Sequence, residues 1–528
     1  MVTSYPVPFR VVLLVTALAL PCYLTAQETS TTVGHVEARL ADTGNRGTSN
    51  AYDSTPPPIE WLTLGEAIAL AKEYSPAAIE AKHRFLAGYW QYRTYRAELL
   101  PSVKLTGSLP SFNKSLSRYQ MPDGAVKFIN EFSNDMGLRL EATQRVWFTG
   151  TELYVSSTLT RNDVFGEQRN TTYLSTPLQV GIRQNIFGFN ELRWQRKIEP
   201  LKYEQSKRVY LSDLEQIANR ANSLFFQLVI AEQALTTSQL NYANADTLYT
   251  IAQGRFSIGT IAENELLQME LNKLTAQQAV SEAKLAVQLQ RFKLVNYLGL
   301  REDKEWKMVV PSSVPEAAVN FDSALVQAMR ANPAFIQTEV QRQQAKKNIA
   351  QARAQRGFEA SIVASYGLTQ QGPTIPAAYR GPLDQLSAKL GITVPLLDWG
   401  RGKGLVRMAK SNLELVESQV ESALLEFRQE LLLLVTRYSL QGQQLALAAK
   451  ADTIALSRYA IAKQRYMVGK IDVLDLDKAQ VDRDDARIRY LSTMQAYWQL
   501  YYELRRLTLH DPETGRPLEM DFEAIVKQ

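Results

Sequence analysis

The hydrophobic and polar positions of this chain follow two periods, and each period appears twice in the same order. In 360–369, Ile362, Ala364, Tyr366 and Leu368 point one way and Ser361, Ser365 and Gly367 the other, with Val363 breaking the polar side. In 386–396, Leu386, Ala388, Leu390, Ile392 and Val394 oppose Ser387, Lys389, Gly391 and Thr393. Earlier in the chain Val103 and Leu105 oppose Lys104 and Thr106, and Val180 and Ile182 oppose Gln179 and Arg183. A period of two predicts strands. The alternation fits a half-buried soluble sheet, and it equally fits a membrane barrel with an apolar outside and a polar lumen.

The second period alternates steps of three and four. Leu214, Ile217, Ala221, Leu224, Leu228, Ala231 and Leu235 form one stripe, and Leu424, Phe427, Leu431, Leu434, Tyr438, Gln441 and Leu445 form the other. Stripes of this kind mean helix-on-helix packing. They predict long helices over 189–255 and 400–466, each about 100 Å at 1.5 Å per residue. Shorter helices of about 25 residues precede the strands, and return helices run to about Leu298 and Leu507. Stacked end to end, a short helix and a return helix reach roughly 95 Å, enough to flank one long helix. The segments 62–74 and 303–325 are left as a belt at mid-height.

These parts form an internal duplication, which must be settled before any fold assignment. "RQNIFGFNELRWQRK" (183–197) corresponds to "TVPLLDWGRGKGLVR" (393–407), which sets Phe189 against Trp399. "RFSIGT" (255–260) corresponds to "RYMVGK" (465–470) without a gap, and "EAIALAKEYSPAAI" (66–79) to "SALVQAMRANPAFI" (323–336). Thr63 with Glu66 makes a capping box, and Asp322 is the expected cap of the counterpart helix. Ser75-Pro76 and Asn332-Pro333 break the chain where proline suits the first turn of a new helix. The first copy carries two further strand candidates, 136–147 and 151–160, turning at Thr149-Gly150. The reading adopted here takes 102–109 and 178–186 as the barrel strands of the first copy and 136–160 as an outward extension.

Composition narrows the chemistry. The chain has 528 residues and a formal charge of +5 with basic and acidic residues interspersed, which gives no clustered nucleic-acid footprint. "MVTSYPVPFRVVLLVTALALPCYLTAQ" reads as a secretory signal ending near Ala26. Its apolar run is too short to span a membrane, and no later run approaches the roughly 20 apolar residues a spanning helix needs. Cys22, the only cysteine, lies in that signal; Pro21 before it argues against a lipid-modified site. His35, His83 and His510 are far apart, so neither a thiolate or histidine metal site nor a nucleophilic triad is expected, and no cofactor. Expected boundaries are a signal at 1–26, a tether at 27–60, a first repeat at 61–300, a linker and belt at 301–320, a second repeat at 321–509 and a tail at 510–528.

"PLLDWGRGKG" (395–404) has the glycines and basic residues of a phosphate loop. Gly404 follows Lys403, so the metal-binding hydroxyl of a P-loop is missing. The reading adopted is a strand-to-helix corner, eased by Gly400, Gly402 and Gly404 and faced with Phe187, Phe189 and Trp399 at a membrane–water boundary.

On these corners, the tips "RFSIGTIAENELL" and "RYMVGKIDVLDLD" and the duplication, the chain resembles the TolC-like outer-membrane efflux protein family from Trp61 to Leu509. The resemblance implies a mainly α fold with β. Three copies would form an outer-membrane β-barrel, about four strands from each, continued by a periplasmic helical coiled-coil barrel with an equatorial belt. It implies a passive outer-membrane channel of a tripartite efflux or export system, with a periplasmic adaptor, an inner-membrane pump and outer-membrane lipid as partners. No catalysis is implied. Ile258, Gly259 and Thr260 and Val468, Gly469 and Lys470 would be the adaptor-facing tips, where Thr260 and Lys470 depart from the family's usual leucine. Asp475 would constrict the pore, with Glu265 its counterpart in the first copy and Asp472 a rival under a gapped alignment. A ring of such carboxylates attracts cations. Phe187, Gly188, Asp398, Trp399 and Gly400 would make the corners. The competing readings are a pore-less coiled-coil envelope or adhesion protein, and an enzyme built on the glycine corner or the acidic tip.

Overall fold

The computed structural model describes residues 59–121, 124–165, 169–300, 305–315, 317–468, 470–471 and 473–527. The expected signal and nearly all of the expected tether lie outside them.

Each copy opens on a short helix, α1 (Leu64–Tyr74) or α5 (Phe321–Ala331), followed at once by α2 (Pro76–Glu98) or α6 (Pro333–Arg356). The Thr63–Glu66 capping box is present at α1. At α5 the cap is Asn320, whose side chain accepts from the Asp322 amide. Asp322 instead lies in the first turn, where its charge complements the helix dipole; the expected Asp322 cap is corrected accordingly. Ser75 and Asn332 each cap the following helix, with proline just inside.

The long helices are α3 (Glu191–Ser257) and α8 (Arg401–Met467), 67 residues each. Their return helices are α4 (Glu263–Leu298) and α9 (Val473–Thr508), 36 residues each. The duplication is therefore exact in helix length through both hairpins. Short strands β1 (Ile59–Thr63) and β6 (Glu305–Val309) pair in parallel, joining the segments that precede α1 and α5. The main core lies where α1, α2, α3, α4, α5, α8 and α9 converge, around Phe85, Phe225, Phe226, Leu294, Leu431, Leu491 and Leu504. A final helix, α10 (Phe522–Lys527), sets Phe522 against Phe85 at 5.2 Å.

The remaining strands are β2 (Ser102–Gln120), β3 (Val126–Val146), β4 (Thr151–Phe165), β5 (Asn170–Ile186), β7 (Glu359–Gly372) and β8 (Leu383–Thr393), with a short helix α7 (Ile375–Ala378) between the last two. They form one six-stranded antiparallel sheet in the order β2-β3-β4-β5-β7-β8. This corrects two expectations. The chain supplies six strands to the sheet, not about four. Residues 136–160 are also no outward extension: β3 and β4 stand in the sheet between the two strands assigned to the barrel. The physical reason is that both alternate cleanly and find backbone partners on both sides, which an extension outside the sheet would forgo.

Candidate functional site

The register puts one apolar face across all six strands. Val103 pairs with Ala142, Ala142 with Val155, Val155 with Val180, Val180 with Tyr366 and Tyr366 with Leu386. Many of these side chains are open to the surroundings, among them Leu105, Leu138, Leu140, Val180, Leu386 and Leu390. The opposite face carries Lys104, Glu141, Ser156, Gln179, Ser365 and Lys389. On it Arg183 of β5 reaches Glu152 of β4 at 2.5 Å and Glu141 of β3 at 3.6 Å. Arg139 and Arg145 add pairs to Glu141 and Glu152. The ion-paired part of the polar face is thus built mostly by the hairpin that the sequence reading had set aside. Among the described residues no helix is long and apolar enough to cross a membrane.

At the corners the backbone turns through left-handed angles at Phe187 (φ 63°), Trp399 (φ 53°) and Gly400 (φ 85°). A bulky residue pays roughly 1–2 kcal/mol for that conformation. The matched corner residues are therefore Phe187 and Trp399, not Phe189 and Trp399: the copies differ here by two residues. Gly188, Gly402 and Gly404 do not adopt such angles. Gly402 is small for another reason, since a Cβ there would lie 2.9 Å from both Arg356 and Asp398. Asp398 accepts from the amides of Gly400 (2.9 Å) and Gly402 (2.8 Å), and these bonds, that of Gly402 first, hold its carboxyl below the usual range. The first copy caps α3 with Asn190, which accepts from Arg193. Phe187 is 70% and Trp399 90% exposed.

Trp147 and Phe148, in the β3–β4 turn, sit at the same end of the sheet and were missed from sequence. Arg196 of α3 lies 3.6 Å from the Trp147 ring, and Asn190 donates to the Trp147 carbonyl. The aromatic pair just before "TG" was the available signal.

At the other end of the helices, Gly259 takes φ 74° and Thr260 donates through both its amide and its hydroxyl to the Arg255 carbonyl. Ile258 is 74% exposed. In the second tip the Lys470 amide donates to the Arg465 carbonyl and Val468 is exposed. Gly469 and Asp472 lie outside the described residues. Asp475 and Glu265 are both exposed, each in the first turn of its return helix, where a carboxylate also favours the helix N-terminus.

The two helical hairpins are joined by polar contacts between α3 and α9. Buried Glu215 accepts from Arg505 at 2.7 Å and from Lys72 of α1 at 2.7 Å. Asn222 donates to the Gln495 carbonyl, Gln499 to the Ser223 hydroxyl at 2.8 Å, and Gln480 to Asn241 at 2.6 Å. None of these pairs was anticipated. On α3, Glu215, Asn222 and Ser223 sit one position round from the predicted stripe, where a polar residue reads as solvent-facing. Among the described residues no cluster of three or more metal-ligating side chains occurs.

The family model described as outer membrane efflux protein matches residues 67–300 and 324–508. No curated protein matches the sequence. Three solved structures share the fold. The CmeC outer membrane channel of Campylobacter jejuni has 17% identity and a TM-score of 0.62, over 88% of each chain. The outer membrane protein VceC of Vibrio cholerae has 14% identity and 0.59, covering 86% of this chain and 97% of that one. The MtrE outer membrane channel of Neisseria gonorrhoeae has 16% and 0.57, covering 87% and 91%.

Proposed function

Because this chain belongs to the outer membrane efflux protein family, we propose that three copies assemble into one conduit across the bacterial outer membrane and periplasm. Members of the family are outer-membrane channels of tripartite efflux systems and not enzymes, and this chain is one of them, with a large periplasmic helical portion.

One observation carries the ring, whose threefold order comes from the family: helices that correspond through the duplication face different surroundings. Within the chain, α3 of the first copy packs on α9 of the second through Asn222–Gln495 and Ser223–Gln499. Moved on by one repeat, those positions become Leu432 with Leu285 and Leu433 with Leu289. All four leucines are about half exposed or more, and they lie on α8 and α4, which are not neighbours within one chain. A ring joins them, α8 of one copy against α4 of the next. Such head-to-tail contacts close when the rotation allows, and three copies give six repeats around the axis. The apolar face of the sheet then meets lipid and the ion-paired face lines the lumen.

The tips at Ile258–Thr260 and 468–470 offer exposed apolar and hydroxyl groups to a periplasmic adaptor, which couples the channel to an inner-membrane pump. Asp475, exposed at the start of α9, forms the carboxylate constriction, and Glu265 is its outer counterpart. Exposed Phe187 and Trp399 sit at the membrane boundary. The test is single-channel current from the mature protein in a planar bilayer, against Asp475→Ala. Larger or more frequent openings with reduced cation preference in the variant support the constriction. Unchanged openings remove Asp475 from it, and no current from inserted trimers overturns the conduit.

A further inference from the structure

The geometry points to an outer-membrane barrel of eighteen strands, six from each of three copies, with the β3–β4 hairpin built into its wall. The inference rests on the threefold reading above and concerns only what the sheet does within it.

Several observations converge on the hairpin as wall. Its strands have partners on both sides along most of their length, β3 against β2 and β4, and β4 against β3 and β5. Its outward residues Leu138, Leu140, Ala142, Leu153 and Val155 continue the apolar face without a gap. Its inward residues Arg139, Glu141 and Glu152 form the ion pairs with Arg183 of β5. A hairpin lying outside the wall would put these charges against lipid or leave Arg183 without them. Its turn is fastened as well. Gln144 donates to the Leu99 carbonyl at the end of α2, Asn190 at the start of α3 donates to the Trp147 carbonyl, and Gln184 donates to that of Thr149.

Those fastenings explain how a wider sheet sits on unchanged helices. α2 and α3 pack directly, with Tyr92 stacked on Tyr203 at 4.8 Å and Arg84 paired to Asp213 at 2.8 Å. Their strands β2 and β5 are three strand spacings apart, roughly 14 Å. The 147–150 turn fills the difference, so the wall flares above the helices. The second copy has no such turn, and its β7 and β8 are direct neighbours.

The two edges dictate the closure. β2 and β8 are exposed along essentially their whole lengths, and in hydrocarbon every backbone donor and acceptor must be paired. The in-chain junction between copies is β5 with β7. Moved on by one repeat it becomes β8 with β2 of the next chain, antiparallel, and the ring closes with no edge left. Barrel diameter grows about linearly with strand number. The mouth is then about half again as wide as that of a twelve-stranded barrel, so the narrowest passage lies in the helical part.

Two measurements on full-length mature protein test this. Electron cryomicroscopy of the channel in lipid nanodiscs should count three copies and eighteen wall strands. Three copies around twelve strands, with 126–165 away from the wall, overturns the inference and leaves the threefold reading intact; another copy number overturns that reading itself. In the mature chain, which carries no cysteine, Leu140→Cys and Arg139→Cys lie on opposite faces of β3, and both positions are exposed within the single chain. A charged maleimide should label Arg139→Cys, on the polar face, about tenfold faster or more. Equal labelling at the two positions places the hairpin in water and overturns the wall assignment.

Discussion

The α3–α4 and α8–α9 hairpins match residue for residue in length, yet their environments differ sharply. α3 is wrapped by its own chain, with Ile217, Leu224, Phe225 and Leu228 almost fully buried. On α8, Leu425, Leu432, Leu433, Leu440 and Leu447 stay open. The residues at the corresponding positions of α3 begin with Glu215, Asn222 and Ser223, which make the polar contacts to α9. In the proposed ring one geometric junction is thus written in two chemistries, amides and an ion pair within a chain and leucines between chains. The division has a consequence for specificity. A polar face pressed on leucine would bury unsatisfied groups at about 1–3 kcal/mol each, so neither junction can be exchanged for the other.

The most damaging way to break the comparison is to write a charge into the leucine junction. Leu432→Asp sets an unpaired carboxylate in all three junctions at once, and the assembly is expected to dissociate into single chains, read by native mass spectrometry in detergent. The same helix in the same chain should keep its helicity by circular dichroism. A stable trimer from Leu432→Asp would refute the junction.

A smaller effect follows from making the in-chain junction resemble the other one. Arg505→Met removes one of the two cationic partners of Glu215, which is 3% exposed, and leaves its buried charge only partly compensated. The expected loss is about 1–3 kcal/mol, less than for a buried charge with no partner left, read as a lowered denaturation midpoint. Lys72 remains beside Glu215 and sets the lower end. Adding Glu215→Leu, the residue found at the corresponding Leu425, should recover most of that loss. The recovery is the informative part, because a residue needed only for packing would not be rescued by removing its partner's charge.

Much of this was legible in the sequence, for identifiable reasons. The helices could be bounded within a few residues because Ser75, Asn332 and Gly259 mark their ends locally, and the duplication doubled each signal. The strands were legible as alternation, but their partners were not. Period two fixes which residues share a face and says nothing about which strand lies alongside, so β3 and β4 were recognised and then misplaced. The junction residues failed for a related reason. Glu215, Asn222 and Ser223 lie beside the apolar stripe, and a polar residue on a helix reads as solvent-facing unless its partner, here about 270 to 290 residues away, is known. The exposed leucines of α8 were invisible as an interface because the predicted stripe on that helix already explained its packing.

The mildest difference between the copies is at their corners, and it is the one that pH can separate. Asp398 caps the second corner through the Gly402 and Gly400 amides, whereas the first corner is capped by Asn190, which does not titrate in this range. The carboxyl of Asp398 is held below its ordinary value. Its contribution is therefore complete above the ordinary aspartate value near ~3.9 and is lost as the pH falls through the lower folded value. Amide exchange of the segment 396–404, corrected for intrinsic rates, should rise a few-fold relative to 186–194 once the pH drops below that range. Asp398→Asn keeps an acceptor and cannot titrate, so in that variant the two corners should respond alike. If the second corner still loosens in acid with asparagine in place, the charge on Asp398 is not what holds it, and another acid-sensitive group must be responsible.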